Sequence, residues 1–343
     1  MRFYLRNRPD GHAVSSTEQR AGAMSDASAR LKVVALIPLY LNMSDDPQQR
    51  LQVDAATELL LNVQHFLGRR MVIHQNAGAE ATLQNVSSII GRHAVLSDVI
   101  VNPSRLLMKH PSRASPHSLL DILLSNYAAA KHRWGGSFSH CVHITSNERF
   151  VRPGAAAHVI QYDAGVSLIS IAKCTSDDGK PSPLPARLAR GACNFHNLTQ
   201  EICNSDPLMQ QVYARVGGSL PSCYSGQMDG AFLSRELVEL AWSSFPSRLR
   251  PGHGNASWGV QLLSPPTEVY APSLIMNARP RARIAPSLTW MNWSDFRGDM
   301  KQRLTVEPGD VEAVRAGRWP GAFAVKRVQA NNLALRAFIA GLQ

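Results

Sequence analysis

A lone carboxylate behind a Pro-Pro turn is the residue of this chain best suited to take a proton. It is Glu268 in Ser264-Pro-Pro-Thr-Glu-Val-Tyr-Ala-Pro-Ser273. The prolines fix the backbone, and apolar neighbours raise a carboxyl pKa toward the range of a general base. A solvated loop glutamate is the plain alternative. Arg303 and Lys326, the latter in Ala322-Phe-Ala-Val-Lys-Arg-Val328, are cations delivered from separate elements. Such a pair can clamp a diphosphate, Arg binding as a fork and Lys as a point charge. Two ordinary surface cations would read the same way.

Three further stretches offer polar groups at element ends. Val72-Ile-His-Gln-Asn-Ala-Gly78 carries His74 and Asn76 where a strand opens into a small-residue turn. Such a loop can hold a base or ribose, or be a plain strand-to-helix turn. Thr145-Ser-Asn147 follows the apolar Cys141–Ile144 and leads to Glu148, with turn chemistry from short polar side chains. Ser225-Gly-Gln-Met-Asp-Gly-Ala-Phe-Leu-Ser-Arg-Glu-Leu237 holds Gln227 and Asp229 between glycines that let a backbone approach a ligand. Ser234 with Leu237 also suits an ordinary helix entry.

The elements that must position these residues alternate. Strands are expected at Val33–Ile37, Arg70–His74, Val95–Val101 and Cys141–Ile144, with helices at Asp54–Leu67, Glu80–Ile90 and Ser118–His132. Arg152-Pro153-Gly154 should open a new segment. This order argues an α/β, doubly wound, mainly parallel sheet, which places ligands in the loops after its strands. A further strand is expected at Val166–Ala172, and a strand passing into a helix over Ala231–Trp242. Short strands are expected within 279–303, a helix at Gly309–Ala316, a strand or loop at Gly321–Val328 and a closing helix at Asn331–Leu342. Residues 177–185, 191–207 and 245–257 read as irregular. Residues 1–30 read as a disordered leader, with Met24 an alternative start to Met1. The rest, 31–343, is expected to be one domain with a nucleotide-binding half over 31–175. Its second half, 176–343, would serve the acceptor and the phosphates.

Composition narrows the partners. The chain has 343 residues and a net charge of +11, which favours anionic partners such as phosphate-bearing substrates. The basic residues of 279–327 are interleaved with acids, prolines and aliphatics, unlike a nucleic-acid-binding tail, and no specific nucleic-acid partner is expected. Five scattered cysteines do not make a disulfide framework. Cys193-x-x-His196 with Cys203 lacks a completing pair, so no metal site is expected. No apolar run is long enough to span a membrane, and the N-terminus lacks a signal-peptide core. The expected place is the cytoplasm, or the periphery of a membrane. A phosphate-binding G-x-x-x-x-G-K-[ST], a G-x-G-x-x-G after the first strand and a G-x-S-x-G elbow are all missing. Ser146-Asn-Glu148 stands where metal-dependent nucleotide-sugar transferases usually carry Asp-x-Asp.

Taken together, these stretches resemble the core-2/I-branching β-1,6-N-acetylglucosaminyltransferase family, with its xylosyltransferase relatives. Val72–Asn76 resembles its Ile-His-x-Asp strand end, and Val142–Pro153 its strand-turn before the donor site. Ser225–Glu236 resembles its Gly-Ser-Gln segment, Ser264–Glu268 its Ser-Pro-x-Glu base loop, and Phe323–Arg327 its closing Phe-Ala-x-Lys-Phe, with Arg303 some twenty residues before Lys326. The matches keep family order over about residues 32–330. Gln75-Asn76 replaces the x-Asp pair, the glutamate loop has one residue more, and Arg327 replaces an aromatic.

The resemblance implies a GT-A-type fold and a metal-independent, inverting transfer from a UDP-sugar of the N-acetylglucosamine or xylose class to an acceptor hydroxyl. Glu268 would be the base, and Arg303 and Lys326 would bind the diphosphate. Pro38, His74, Asn76, Asn147 and Glu148 would hold nucleotide and sugar, and Gln227 and Asp229 the acceptor. The UDP-sugar is a substrate, and no cofactor is implied. A nucleotide- or glycan-binding protein without catalysis is the competing reading, since one fold hosts many functions.

Overall fold

The computed structural model describes residues 26–39, 47–75, 80–102, 119–168, 226–244, 283–291 and 306–342. The first strand is the continuous apolar run β1 (Val33–Leu39), buried along its whole length. Such a run suits the middle of a sheet covered on both faces. β2 (Met71–Gln75) and β4 (His140–His143) flank it, both parallel to it, and β3 (Val99–Val101) adds outside β2. Beyond β4 come β7 (Gly226–Ser234), β6 (Ala164–Leu168) and β8 (Ile284–Ala285), giving the order β3-β2-β1-β4-β7-β6-β8. β7 runs antiparallel to both its neighbours, while β8 is parallel to β6. The sheet is therefore mainly parallel, and its strands come from both sides of residue 175.

Period-two alternation along β1 separates two cores. Val34 and Leu36 point to one face, packing with Leu123 and Tyr127 of α4 (Leu119–Trp134) and Val238 of α6 (Arg235–Ser244). Val33, Ala35 and Ile37 point to the other, against Leu59, Leu60 and Val63 of α2 (Pro47–Phe66). That group also takes in Ile89 of α3 (Glu80–Arg92) and Ala156 of α5 (Ala155–Val159). Helices on both faces make the sheet doubly wound, as the alternation of elements predicts.

A second, three-stranded sheet runs β5-β10-β9, from Glu148–Phe150, Ala324–Lys326 and Thr289–Trp290. Its strands are built from residues far apart in sequence, and α7 (Pro308–Arg315) and α8 (Leu333–Ala340) pack behind it. Val311, Val314, Val325, Leu335 and Ile339 form that third core.

Several boundaries differ from the sequence expectation. α2 begins at Pro47, ahead of Asp54, with proline in its first turn where the missing N–H costs nothing. Of the strand expected over 95–101 only Val99–Val101 pairs; Ala94–Leu96 form a 3-10 turn, closed by Leu96 N–H donating to His93 O. Residues 26–30, at the end of the stretch expected to be a leader, form helix α1, tied by an Arg30–Asp26 ion pair and with Ala29 buried. Glu148–Phe150, for which the sequence predicts no strand, are strand β5. The expected irregular stretches 177–185, 191–207 and 245–257 lie outside the described residues.

Candidate functional site

Two crossovers run from β1 to β2 and from β2 to β3, and the chain then returns to place β4 on the opposite side of β1. The strand order reverses there, and α/β sheets hold ligands in the crevice at that point, outside the carboxyl ends of the strands. Pro38 and His74 sit at these ends as register partners across β1 and β2.

From β4 the chain passes through Thr145-Ser146-Asn147 and turns straight into β5. The Glu148 side chain folds back and accepts the Thr145 backbone N–H at 2.7 Å. Thr145 Oγ1 donates to Asn147 Oδ1 at 3.1 Å. Asn147 O accepts the Val328 N–H at 3.0 Å, stitching the turn to the segment after β10. Between them Arg327 adopts φ 78°, a left-handed conformation uncommon outside glycine, which bends the chain directly after Lys326.

Two anchors tie this turn to α2. Arg149 is buried and donates to Ser146 O and Glu148 O, at 3.0 and 2.7 Å, and to Ala55 O on α2 at 2.7 Å. Burial lowers its pKa to about 10, so it stays charged at neutral pH. Asn62 grips Phe150 from both sides, donating to its carbonyl at 2.9 Å and accepting its N–H at 2.7 Å. A buried polar side chain satisfied in this way fixes the strand's position.

Three ionisable groups converge on the edge. Lys326 stands opposite Glu148 in the β5–β10 register and forms an ion pair with Asp229 on β7. Next to Asp229, Gly230 has φ 60°, and a Cβ there would lie 2.1 Å from Thr289 Oγ1. Only glycine allows that approach. His143 of β4 donates its Nδ1–H to Met228 O at 2.8 Å. Burial lowers its pKa, so the ring is neutral at pH 7.

Glu148 is 1% exposed. Burial, and then the Asp229 carboxylate, raise its pKa to about 8, against the opposing pull of Lys326, the Thr145 N–H and the nearby Thr289 hydroxyl. Its Oε1 has no hydrogen-bond partner among the described residues. Glu148 is therefore mostly protonated at pH 7. A carboxyl whose folded pKa lies above its unfolded value of 4.5 contributes stability below that value and loses it as pH rises toward 8. The Glu148 contribution should fall between pH 5 and 8 by an amount on the order of a few kcal/mol, read in urea unfolding as the difference between wild type and Glu148→Gln. The difference is needed because His140, His143 and His158, whose pKa values burial lowers, act in the opposite direction below pH 6.5. An unchanged slope in Glu148→Gln would mean that Glu148 ionises normally.

Of the residues singled out from sequence, the structure brings Glu148, Asp229 and Lys326 together, with Asn147 in the adjoining turn and Pro38 and His74 on the same edge. Asp229, expected as an acceptor residue, lies beside the phosphate candidate Lys326. Gln227 lies on β7, with its backbone registered to Ser167 of β6. Asn76, Glu268 and Arg303 lie outside the described residues. Sequence reasoning missed His143, Thr289 and Arg149. His143, two residues after Cys141, reads as part of an apolar strand, and Thr289 carries no local signal.

Fold and edge define a mixed α/β protein with a mainly parallel central sheet. No family model matches the chain, and no curated protein matches it. Among solved structures, it is similar to the crystal structure of 4-diphosphocytidyl-2C-methyl-D-erythritol synthase from Anaerococcus prevotii DSM 20548. The TM-score is 0.33 at 9% identity, over 84% of this chain and 97% of that one, a likeness too slight to carry an activity across. Among the described residues no helix is long and apolar enough to cross a membrane. No three His, Cys, Asp or Glu side chains among them are grouped to hold a metal ion.

Proposed function

We propose that the chain is a UDP-sugar-dependent glycosyltransferase on a GT-A-type sheet, working without a metal and inverting the anomeric carbon. The observation that carries this reading is Lys326, fixed on its own small sheet at the carboxyl edge beside the switch point and flanked by Glu148 and Asp229. Lys326 and Arg303 hold the diphosphate, and the carboxyl ends of β1 and β2 take the nucleoside. The acceptor oxygen attacks the anomeric carbon as Glu268 removes its proton, and the sugar–phosphate bond breaks to release UDP. Two cations then stabilise the charge that grows on the leaving oxygen, electrostatic work that is strongest in a dry site.

The test is a thermal-shift screen of nucleotides and nucleotide sugars, with UDP-N-acetylglucosamine and UDP-xylose included, with and without EDTA. UDP is expected to raise the melting temperature equally in both conditions. A strict manganese requirement for binding overturns the metal-free mechanism, and no response to any uridine nucleotide overturns the reading.

A nucleotide-binding protein without catalysis is the second reading, favoured by one observation: Lys326 already has a carboxylate partner in Asp229. Release of UDP in the presence of an acceptor distinguishes the two.

A further inference from the structure

We propose that Glu148 is a positioning residue whose proton governs how strongly Lys326 can hold an anionic ligand. This rests on the diphosphate reading of Lys326 and extends it to the control of that contact.

Glu148 does not itself reach the ligand. It is 1% exposed, whereas the side chains of Lys326 and Asp229 are 12% and 13% exposed and lie at the edge. One oxygen, Oε2, accepts the Thr145 N–H, which leaves Oε1, beside the Thr289 hydroxyl, to carry the proton of the neutral form. Among the described residues the groups around it are few. β10 supplies Lys326, β7 supplies Asp229, and β9 supplies the hydroxyl of Thr289. His143 on β4 is neutral with its Nδ1–H taken by Met228 O. Arg149 on β5 is a fixed cation, turned toward the carbonyls of Ser146, Glu148 and Ala55. Behind Arg149, Glu58 of α2 is neutralised by Arg336 of α8 in a two-bond pair at 2.7 Å each.

The charge balance follows from these neighbours. With Glu148 neutral, Lys326 faces one carboxylate, the pair sums to zero, and an incoming diphosphate can compete with Asp229 for the ammonium. With Glu148 ionised, Lys326 faces two carboxylates and the group carries a net negative charge in surroundings that screen it poorly. An anion is then repelled and the lysine is held inward. Glu148 is pushed up to about 8 by burial and Asp229, so the change falls just above neutral pH. Binding that favours the protonated form weakens as pH rises through that value.

The experiment measures UDP and uridine affinity by calorimetry at pH 6, 7, 8 and 9 in wild type, Glu148→Gln and Asp229→Asn. Wild type should bind UDP about ten-fold more weakly at pH 9 than at pH 7, with uridine changing far less. Whatever its absolute affinity, Glu148→Gln should show a ratio near one over that range. Asp229→Asn, which removes the neighbouring negative charge, should move the wild-type midpoint to lower pH, and it keeps the idea testable should Glu148→Gln fail to fold. UDP binding that ignores pH in wild type, or falls equally in Glu148→Gln, overturns the linkage alone. Absence of UDP binding at every pH in folded protein overturns the transferase reading and this inference with it.

Discussion

Glu268→Gln is expected to bind UDP with an affinity close to that of wild type and to turn over about 10²–10⁴ times more slowly, roughly 3–5 kcal/mol of barrier. The amide keeps the shape and the hydrogen-bonding reach of the carboxylate and loses only its ability to take a proton. In the proposed mechanism UDP makes no use of that proton, because the base acts on the acceptor hydroxyl. Steady-state rates with a sugar acceptor should therefore collapse while calorimetry with UDP shows binding intact in the same variant. Near-normal transfer by folded Glu268→Gln would place the base elsewhere, with Asp229 and Glu236 next in line.

Lys326→Ala should weaken UDP binding by about ten- to a hundred-fold and leave uridine binding nearly unchanged. A charge-assisted contact is worth roughly 1.5–3 kcal/mol, and in the proposed pose only the diphosphate meets the ammonium. Because Lys326 also pairs with Asp229, the single variant leaves that carboxylate without its cation and costs some stability as well. The double variant Lys326→Ala with Asp229→Asn removes both charges and should regain the stability without regaining UDP affinity. Equal losses for UDP and uridine in either variant would assign Lys326 a purely structural role.

The large sheet was legible because its signals are local. The Val33–Ile37 run, the helical spacing of Leu59, Val63 and Phe66, and the apolar face of Ser118–His132 each report on their own neighbourhood. Their order then implies parallel pairing. Strand β5 was not legible, since Glu148–Phe150 become a strand only by pairing with Ala324–Lys326 and by the grip of Asn62, 88 residues before Phe150. The same holds for the site. Lys326, Glu148 and Asp229 each carried enough character to be singled out, but their meeting depends on three separate segments. Sequence alone therefore assigns Asp229 to the acceptor and Lys326 to the phosphates, although the two form an ion pair. Arg149 and Thr289 went unnoticed because their work is to seat neighbours: one holds a turn by three carbonyls, the other fills the space beside a bare glycine.

The three-stranded sheet also bears on the order in which the chain acquires its parts. β1 to β4 lie within the first 143 residues and close by short crossovers. β5, by contrast, must wait for β9 and β10, about 140 and 175 positions further along. Closing loops of that length is entropically costly and slow compared with local pairing. On a ribosome the parallel half can therefore consolidate while Glu148 is still without Lys326. A nascent chain halted before residue 324 would show the secondary structure of the early half and bind no nucleotide diphosphate. Competence would arrive late, with the emergence of β10 and the helix that follows it.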